Sequence, residues 1–163
     1  MLAVRPATED DAAFIVAAHE LPHARGFVLP PTEDDVRAAF AKPDRATLIL
    51  TADGVAAGMV LLGFFPDPPW LVELRRIIVT QPGRGIGTFA MRWVVAHAFD
   101  TLAAHRIWLD VVESNAVARR LYERAGFVHE GTYRDGYREI DGRYANLCMY
   151  GLLASDPRQT PSP

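Results

Sequence analysis

Apolar residues recur along this chain with two periods, helical and extended, and the alternation between them predicts a mixed fold. Ala12, Ile15, Val16 and His19 return at helical spacing after Thr8, an N-cap residue type with Asp11 three positions on, as in a capping box. A helix is therefore expected to about Glu20, preceded by a short strand from Leu2 to Arg5 that Pro6 breaks. Leu21 to Pro31, with Pro22, Gly26, Pro30 and Pro31, reads as an irregular linker. Thr32 caps a second short helix through Phe40, and Glu33, Asp34 and Asp35 occupy its first turn, where acids suit the helix dipole.

The period then changes. Ala46 to Thr51 and Val55 to Phe64 are strand-like and flank Asp53-Gly54, a hairpin signal. The loop from Phe65 to Trp70, with Pro66, Pro68 and Pro69, cannot extend a strand, and Leu71 to Val79 is the next one. After Gly83, Gly85 and Gly87, the residues Ile86, Phe89, Ala90, Trp93 and Val94 lay an apolar stripe on a helix reaching about Leu102. Arg106 to Val112 forms a strand, and Ser114-Asn115 opens a helix carrying Val117, Ala118, Leu121, Tyr122 and Ala125. Gly126 stands where a left-handed C-terminal cap belongs. Phe127 to about Tyr133 and Tyr144 to Leu153 close the pattern as strands around a turn-rich stretch from Asp135 to Arg143. The order is β-α-α-β-β-β-α-β-α-β-β. It predicts one α/β domain with a mixed sheet over residues 1–154, and the polar, proline-rich residues 155–163 are expected to be a disordered tail.

Composition narrows the function classes. The 163 residues suffice for one domain with a sizeable core; 50% are apolar and the formal net charge is -3, so no nucleic-acid partner is indicated. No apolar stretch is long enough for a membrane span, and the N-terminus lacks a signal-peptide core. The single cysteine, Cys148, excludes an intrachain disulfide and fits a cytoplasmic location; in the run Leu147-Cys148-Met149-Tyr150 it reads as a small buried residue rather than a nucleophile. No His, Cys and Asp residues have metal-ligand spacing, so no metal is expected.

Chemistry concentrates between Leu71 and Leu102. A strand ends at Val79, the loop Gln81-Pro82-Gly83-Arg84-Gly85-Ile86-Gly87-Thr88 follows, and a helix begins. Free N–H donors at a helix N-terminus, approached closely through glycines, suit a phosphate or pyrophosphate. The spacing matches neither G-x-G-x-x-G nor a nucleoside-triphosphate loop, and a glycine-rich turn with no ligand remains the other reading of this segment alone.

A second segment decides between them. Asn115, Ala118, Leu121, Tyr122, Gly126 and Phe127 fall in register with N-x-x-A-x-x-L/F-Y-x-x-x-G-F, the second cofactor motif of the GNAT acetyltransferase superfamily. Gly85 and Gly87 resemble its Q/R-x-x-G-x-G/A motif, with Pro82 at the Gln/Arg position and Gln81 one place early. The opening Val4-Arg5-Pro6-Ala7 with Asp10-Asp11 is similar too, and the resemblance covers roughly residues 2 to 153.

The resemblance implies a GNAT fold whose two middle parallel strands, ending at Val79 and Val112, splay apart to admit the pantetheine arm of acetyl-CoA. Backbone groups of Ile77, Ile78 and Val79 would pair with it, and polarising the acetyl carbonyl there would stabilise the oxyanion. Arg84, Gly85, Ile86, Gly87 and Thr88 would hold the pyrophosphate, Arg84 making up for Pro82. Asn115 and Ala118 would line the pantetheine arm, with Asn115 also a helix cap.

Tyr122 matches the superfamily's general acid for the departing thiolate; the alternative is a core tyrosine. Glu73 stands where members often place a base. Strand alternation puts Glu73, Arg75, Ile77 and Val79 on one face, and the alternative for Glu73 is an ion pair with Arg75 or Arg76. His129 and Glu130 are weaker base candidates, whereas His19, His97 and His105 read as structural or solvated.

Arg134 to Tyr144 is similar to the RimJ/RimL-like branch that acetylates protein N-termini, ribosomal proteins among them, some members of which act on small amines; it and Leu21 to Pro31 would wall the acceptor site. The expected activity is direct acetyl transfer from acetyl-CoA to a primary amine, a peptide N-terminus or a small molecule. A non-catalytic acyl-CoA-binding regulatory module is the alternative. The assembly, monomer or homodimer, stays open.

Overall fold

Seven strands build one sheet in a computed structural model that describes residues 1–25, 27, 30–65, 70–139 and 141–157. They are β1 (Leu2–Pro6), β2 (Arg45–Ala52), β3 (Val55–Phe65), β4 (Leu71–Val79), β5 (Arg106–Val112), β6 (Val128–Arg138) and β7 (Tyr144–Leu153). Their order is β1-β2-β3-β4-β5-β7-β6, and every neighbouring pair is antiparallel except β4 and β5, which run parallel. The expected mixed α/β sheet is thus present. Gly26, Pro66 to Pro69, Ile140 and residues 158–163, most of the expected tail, lie outside the described residues.

Helices α1 (Ala12–His19), α2 (Pro22–Arg25), α3 (Glu33–Phe40), α4 (Ile86–Ala96) and α5 (Ala116–Arg124) cover the two faces unequally. On one face Val60, Leu62, Val72, Leu74, Ile107, Leu109 and Tyr150 pack against Ala90, Met91 and Val94 of α4 and Tyr122 of α5. On the other, Ile49, Met59 and Ile78 meet Ala12, Ile15 and Ala18 of α1 and Val36 of α3. Each large aliphatic side chain in these cores contributes roughly 1.5–3 kcal/mol by leaving water.

Local signals in the chain account for most element ends. The Asp53-Gly54 turn has φ of 50° and 81°, both in the left-handed region that a tight hairpin needs. Gly126 closes α5 at φ 98°, as its C-cap position requires. Thr32 and Asp35 form a full capping box, the Thr32 hydroxyl accepting from Asp35 N at 3.2 Å and the Asp35 carboxylate from Thr32 N at 3.0 Å.

Two expectations need correcting. The linker after α1 is not irregular throughout, because Pro22 starts the single turn α2, where a proline's missing N–H costs nothing. The stretch from Asp135 onward is not simply a turn: β6 runs on to Arg138 through a bulge between Tyr133 and Tyr137. Arg134, Asp135 and Gly136 stand opposite Asn146 alone in this bulge; Asp135 has φ 53°, and its N–H donates to Asn146 Oδ1 at 3.1 Å.

The start of α1 is held by charge. Asp11 accepts from Arg5 Nη1 at 2.7 Å, from Arg5 Nη2 at 2.8 Å and from Thr8 N at 2.8 Å. The Arg5 hydrogen bonds, above all, hold its carboxyl pKa down to about 2, with the Thr8 donors adding to the effect. A depressed carboxyl pKa stabilises the fold above the unfolded value, and that gain is lost as pH falls through the folded one. Asp11→Asn is therefore expected to cost about 1–2 kcal/mol at pH 7, a fall of several degrees in Tm. The difference from wild type should close as pH falls from about 4 towards 2; a gap independent of pH in thermal melts would assign the loss to packing instead.

Candidate active site

The parallel pair at the centre of the sheet is joined over only three rungs, Leu71 with Arg106, Val72 with Ile107 and Glu73 with Trp108. Beyond them β5 pairs with β7 as far as Val112 with Leu147, while β4 pairs with β3 as far as Val79 with Gly58. The facing edges of β4 and β5 therefore part after Glu73, which is the expected splay.

Backbone direction along β4 decides which groups face the gap. Thr80 N donates to Ala57 O at 2.9 Å, so the groups of Thr80 and, two residues back, of Ile78 point to β3. A Cβ added at Gly58 would stand 2.5 Å from Ile78 O, which confirms that direction. Ile77 and Val79 alternate with them and turn their N–H and C=O groups to the gap, whereas those of Ile78 are spent on the β3 ladder. The Val79 carbonyl accepts from His23 Nε2 of α2 at 2.7 Å. His23 carried no sequence signal, because only the fold brings α2 to the end of β4.

A bulge in β4 redistributes the side chains. Leu62 pairs with Leu74 and Leu61 with Arg76, leaving Arg75 as the extra residue. Alternation consequently slips by one. Val72 and Leu74 share the α4 face with Ile77 and Val79, and Ile78 lies on the α1 face. The expectation that Glu73 and Arg75 share a face with Ile77 and Val79 is wrong for this reason. Glu73 looks out from the opposite side of the sheet, the α1 side, rather than into the α4 core.

Glu73 is engaged there. Arg75 Nε donates to its Oε2 at 2.7 Å, with the two side chains 24% and 18% exposed. Arg75 also stacks over the Phe65 ring, 5.6 Å from its centroid. Gly63, opposite Glu73, makes room for this pair, since a Cβ there would fall 2.5 Å from Arg75 Nε. The ion-pair alternative for Glu73 is thus realised, with Arg75 as the partner.

Asp110 was not singled out in the sequence. It lies two residues past Trp108 on β5, with Leu109 and Val111 turned to the α4 core on either side of it. Water reaches its carboxyl group, yet the surrounding protein hems it in. Desolvation pushes its pKa up, and the charge of Glu73 pushes the same way. An acid inside an otherwise apolar strand, the signal that drew attention to Glu73, would have found it.

Tyr122 is 7% exposed and lies in the α4-side core, its ring centroid 6.3 Å from those of Phe127 and Tyr150. Burial raises the phenol pKa, and the negative charge of Asp110 raises it further, so it stays protonated at neutral pH. Its carbonyl accepts from Ala125 N and Phe127 N, but its hydroxyl bonds no described side chain.

The glycine loop supplies the other half of the site. Gly83 and Gly85 have φ of 85° and 75°, and Gly85 is the N-cap of α4 without any side-chain bond. The first turn bond of the helix is Phe89 N to Gly85 O at 3.0 Å, so the N–H groups of Ile86, Gly87 and Thr88 have no helical acceptor. No atom lies within 4 Å of a Cβ built at Gly85, whereas one at Gly87 would touch Leu121 at 3.4 Å. Gly85 faces open space, and Gly87 lets α4 approach α5. Arg84 Nη1 donates to Gln81 Oε1 at 2.6 Å. Asn115 Oδ1 caps α5 by accepting from Ala118 N at 3.2 Å, the structural half of its expected role.

The remaining candidates stand apart from this group. Glu130 is ion-paired with Arg106, whose hydrogen bonds lower its pKa, and His129 lies 3.2 Å from Thr132 Oγ1. His97 stacks on Trp93 at 4.5 Å, and Cys148 is 1% exposed in the core.

A splayed parallel pair beside a glycine-capped helix defines an acyl-coenzyme A-binding class of fold. Residues 14–127 match the acetyltransferase (GNAT) family, and the chain belongs to it. The family uses acetyl-CoA as cosubstrate, and the loop donors, the open β4 edge and Tyr122 suit that group. YdaF of Bacillus subtilis (strain 168), named for ribosomal N-acetylation, is 31% identical over 120 residues, 73% of this chain and 65% of that protein. A phosphinothricin N-acetyltransferase of Streptomyces coelicolor is 35% identical over 89 residues, 51% of this chain and 49% of its own. The chain therefore spans less than two thirds of the length of these relatives. The fold also matches a Vibrio cholerae spermidine N-acetyltransferase solved with CoA and spermine, with a TM-score of 0.85 at 22% identity over 95% of this chain and 96% of that one.

Proposed function

We propose that the chain transfers acetyl from acetyl-CoA to a primary amine by direct attack, without a covalent enzyme intermediate. The observation that carries this reading is the β4–β5 gap, which has backbone donors at one end and at its side a largely buried tyrosine whose hydroxyl bonds no described side chain. The N–H groups at the start of α4 bind the pyrophosphate. Ile77 and Val79 pair with the pantetheine arm, and a β4 N–H polarises the acetyl carbonyl, holding the charge of the tetrahedral intermediate. Tyr122 gives its proton to the thiolate as the C–S bond breaks. The amine's proton leaves on the acceptor face, where Glu73 and Asp110 stand across the mouth of the gap. The raised pKa of Asp110 brings it nearer to neutral pH, where a general base works best. The relatives named for ribosomal, phosphinothricin and spermidine acetylation support an amine acceptor.

The test is release of free coenzyme A thiol with an amine panel, beside the effect of acetyl-CoA on Tm. Acetyl-CoA is expected to raise Tm and an amine to release thiol. A raised Tm with no thiol release from peptide N-termini, amino acids or polyamines would favour the regulatory binding module. Glu73→Gln should slow the reaction at neutral pH and recover partly as pH rises, because more amine is then already neutral. An unchanged pH–rate profile would leave Glu73 only its ion pair with Arg75 and pass the base role to Asp110.

A further inference from the structure

Arg76 is a half-buried cation without an anion among the described residues. It follows the β4 bulge and turns to the α1 face, where Nη1 lies 2.7 Å from His19 Nε2. His19 Nδ1 lies 2.7 Å from the Ile15 carbonyl, which can only accept, so Nδ1 carries the proton and Nε2 accepts from Arg76. Such an imidazole is neutral, and burial lowers its pKa and keeps it so. His19 therefore orients the guanidinium without neutralising it. Arg76 Nε is buried with no hydrogen-bond partner, and among the described residues no carboxylate pairs with this side chain. Its neighbour Arg75 takes Glu73 instead. Desolvation accordingly lowers the Arg76 pKa, and the nearest opposing influence is the phenol of Tyr137, from beyond the β6 bulge.

A guanidinium whose Nε is withdrawn from water with no partner is costly to hold, and a ligand carboxylate would compensate it. Its surroundings say where that group lies. Arg76 has α1 against it through His19 and the Tyr137 side chain of β6 within electrostatic reach, and it lies on the same side of the sheet as Glu73. Glu73, paired with Arg75, stands three residues before Arg76 on β4, on the order of 10 Å at strand spacing, and the register puts Asp110 of β5 across the gap, two residues past the partner of Glu73.

We infer that Arg76 is the carboxylate-binding residue of the acceptor site, and that the acceptor is an amino acid with its amine towards Glu73. This rests on the acetyl-transfer reading and deepens it. A guanidinium held by one hydrogen bond keeps its other N–H groups for a carboxylate. A polyamine would meet the same cation as repulsion, which adds discrimination.

The experiment compares free amino acids with their carboxamides and with linear diamines, in thiol-release kinetics and, separately, in thermal shift of the acetyl-CoA-free chain. Wild type should favour at least one amino acid over its carboxamide by roughly fifty-fold or more in kcat/KM, mostly through KM. Arg76→Gln should bring that ratio to within about three-fold, with the acetyl-CoA shift in Tm unchanged. Carboxamides or diamines equal to amino acids in wild type would overturn the inference, as would an equal loss on all acceptors in Arg76→Gln. If no amine releases thiol, the acetyl-transfer reading fails by itself; stabilisation by amino acids that Arg76→Gln abolishes would still support the subsite, and its absence would remove it.

Discussion

Tyr122→Phe is expected to slow turnover by roughly ten- to a thousand-fold while acetyl-CoA affinity stays within a few-fold, the usual contribution of a positioned acid. The substitution removes one oxygen and keeps the ring, so packing against Phe127 and Tyr150 survives. The hydroxyl bonds no described residue, so its loss orphans no partner and the change in stability should be small. Without the phenol the thiolate must take its proton from water, and the penalty falls on kcat. Burial and the charge of Asp110 both raise the phenol pKa, so wild type keeps its proton through mildly alkaline pH and the mutant's defect should not vary between pH 7 and 9. Single-turnover rates and a coenzyme A titration measure the two quantities separately. Wild-type turnover in the mutant would return Tyr122 to core packing.

Gly85→Asp is expected to weaken acetyl-CoA binding by roughly a hundred-fold with little loss of stability, the energy of like charges a few ångströms apart at a partly screened site. At φ 75° a side chain costs about 1–2 kcal/mol, and the same carboxylate recovers part of that as an anion at a helix N-terminus. No atom stands within 4 Å of the new Cβ, so no clash confuses the result. What remains is repulsion between the aspartate and the pyrophosphate over the free donors of Ile86, Gly87 and Thr88. The shift in Tm with saturating acetyl-CoA measures it. An unchanged shift would place the phosphates elsewhere.

These sites differ in how far they could be read beforehand. The helix-start donors were legible because a glycine loop and a helical stripe are contiguous in the chain. Tyr122 and Asn115 were legible through motif register, since both lie on one short helix. Glu73 stood out as a candidate, but its face was misread. Alternation assumes an unbroken ladder, and the extra residue Arg75 appears only when β3 is laid beside β4. Asp110, His23 and Arg76 acquire meaning only from what surrounds them. Arg76 looked like one member of an Arg75-Arg76 pair, yet one finds a carboxylate and the other a neutral imidazole.

The sequence by itself determined the elements and their order. Helical and strand periods, caps at Thr8 and Thr32, the Asp53-Gly54 turn and Gly126 act through bonds among residues a few positions apart, and such bonds leave their mark on local spacing. The tertiary structure decided the site. It set where β4 and β5 part, which backbone groups face the gap, and which charges are paired. Those outcomes depend on contacts between residues distant in the chain, such as Arg76 with His19 or Glu73 with Trp108, whose pairing follows from how whole elements pack. Burial then converts that placement into chemistry, because the same carboxyl or guanidinium group behaves differently once water is withdrawn.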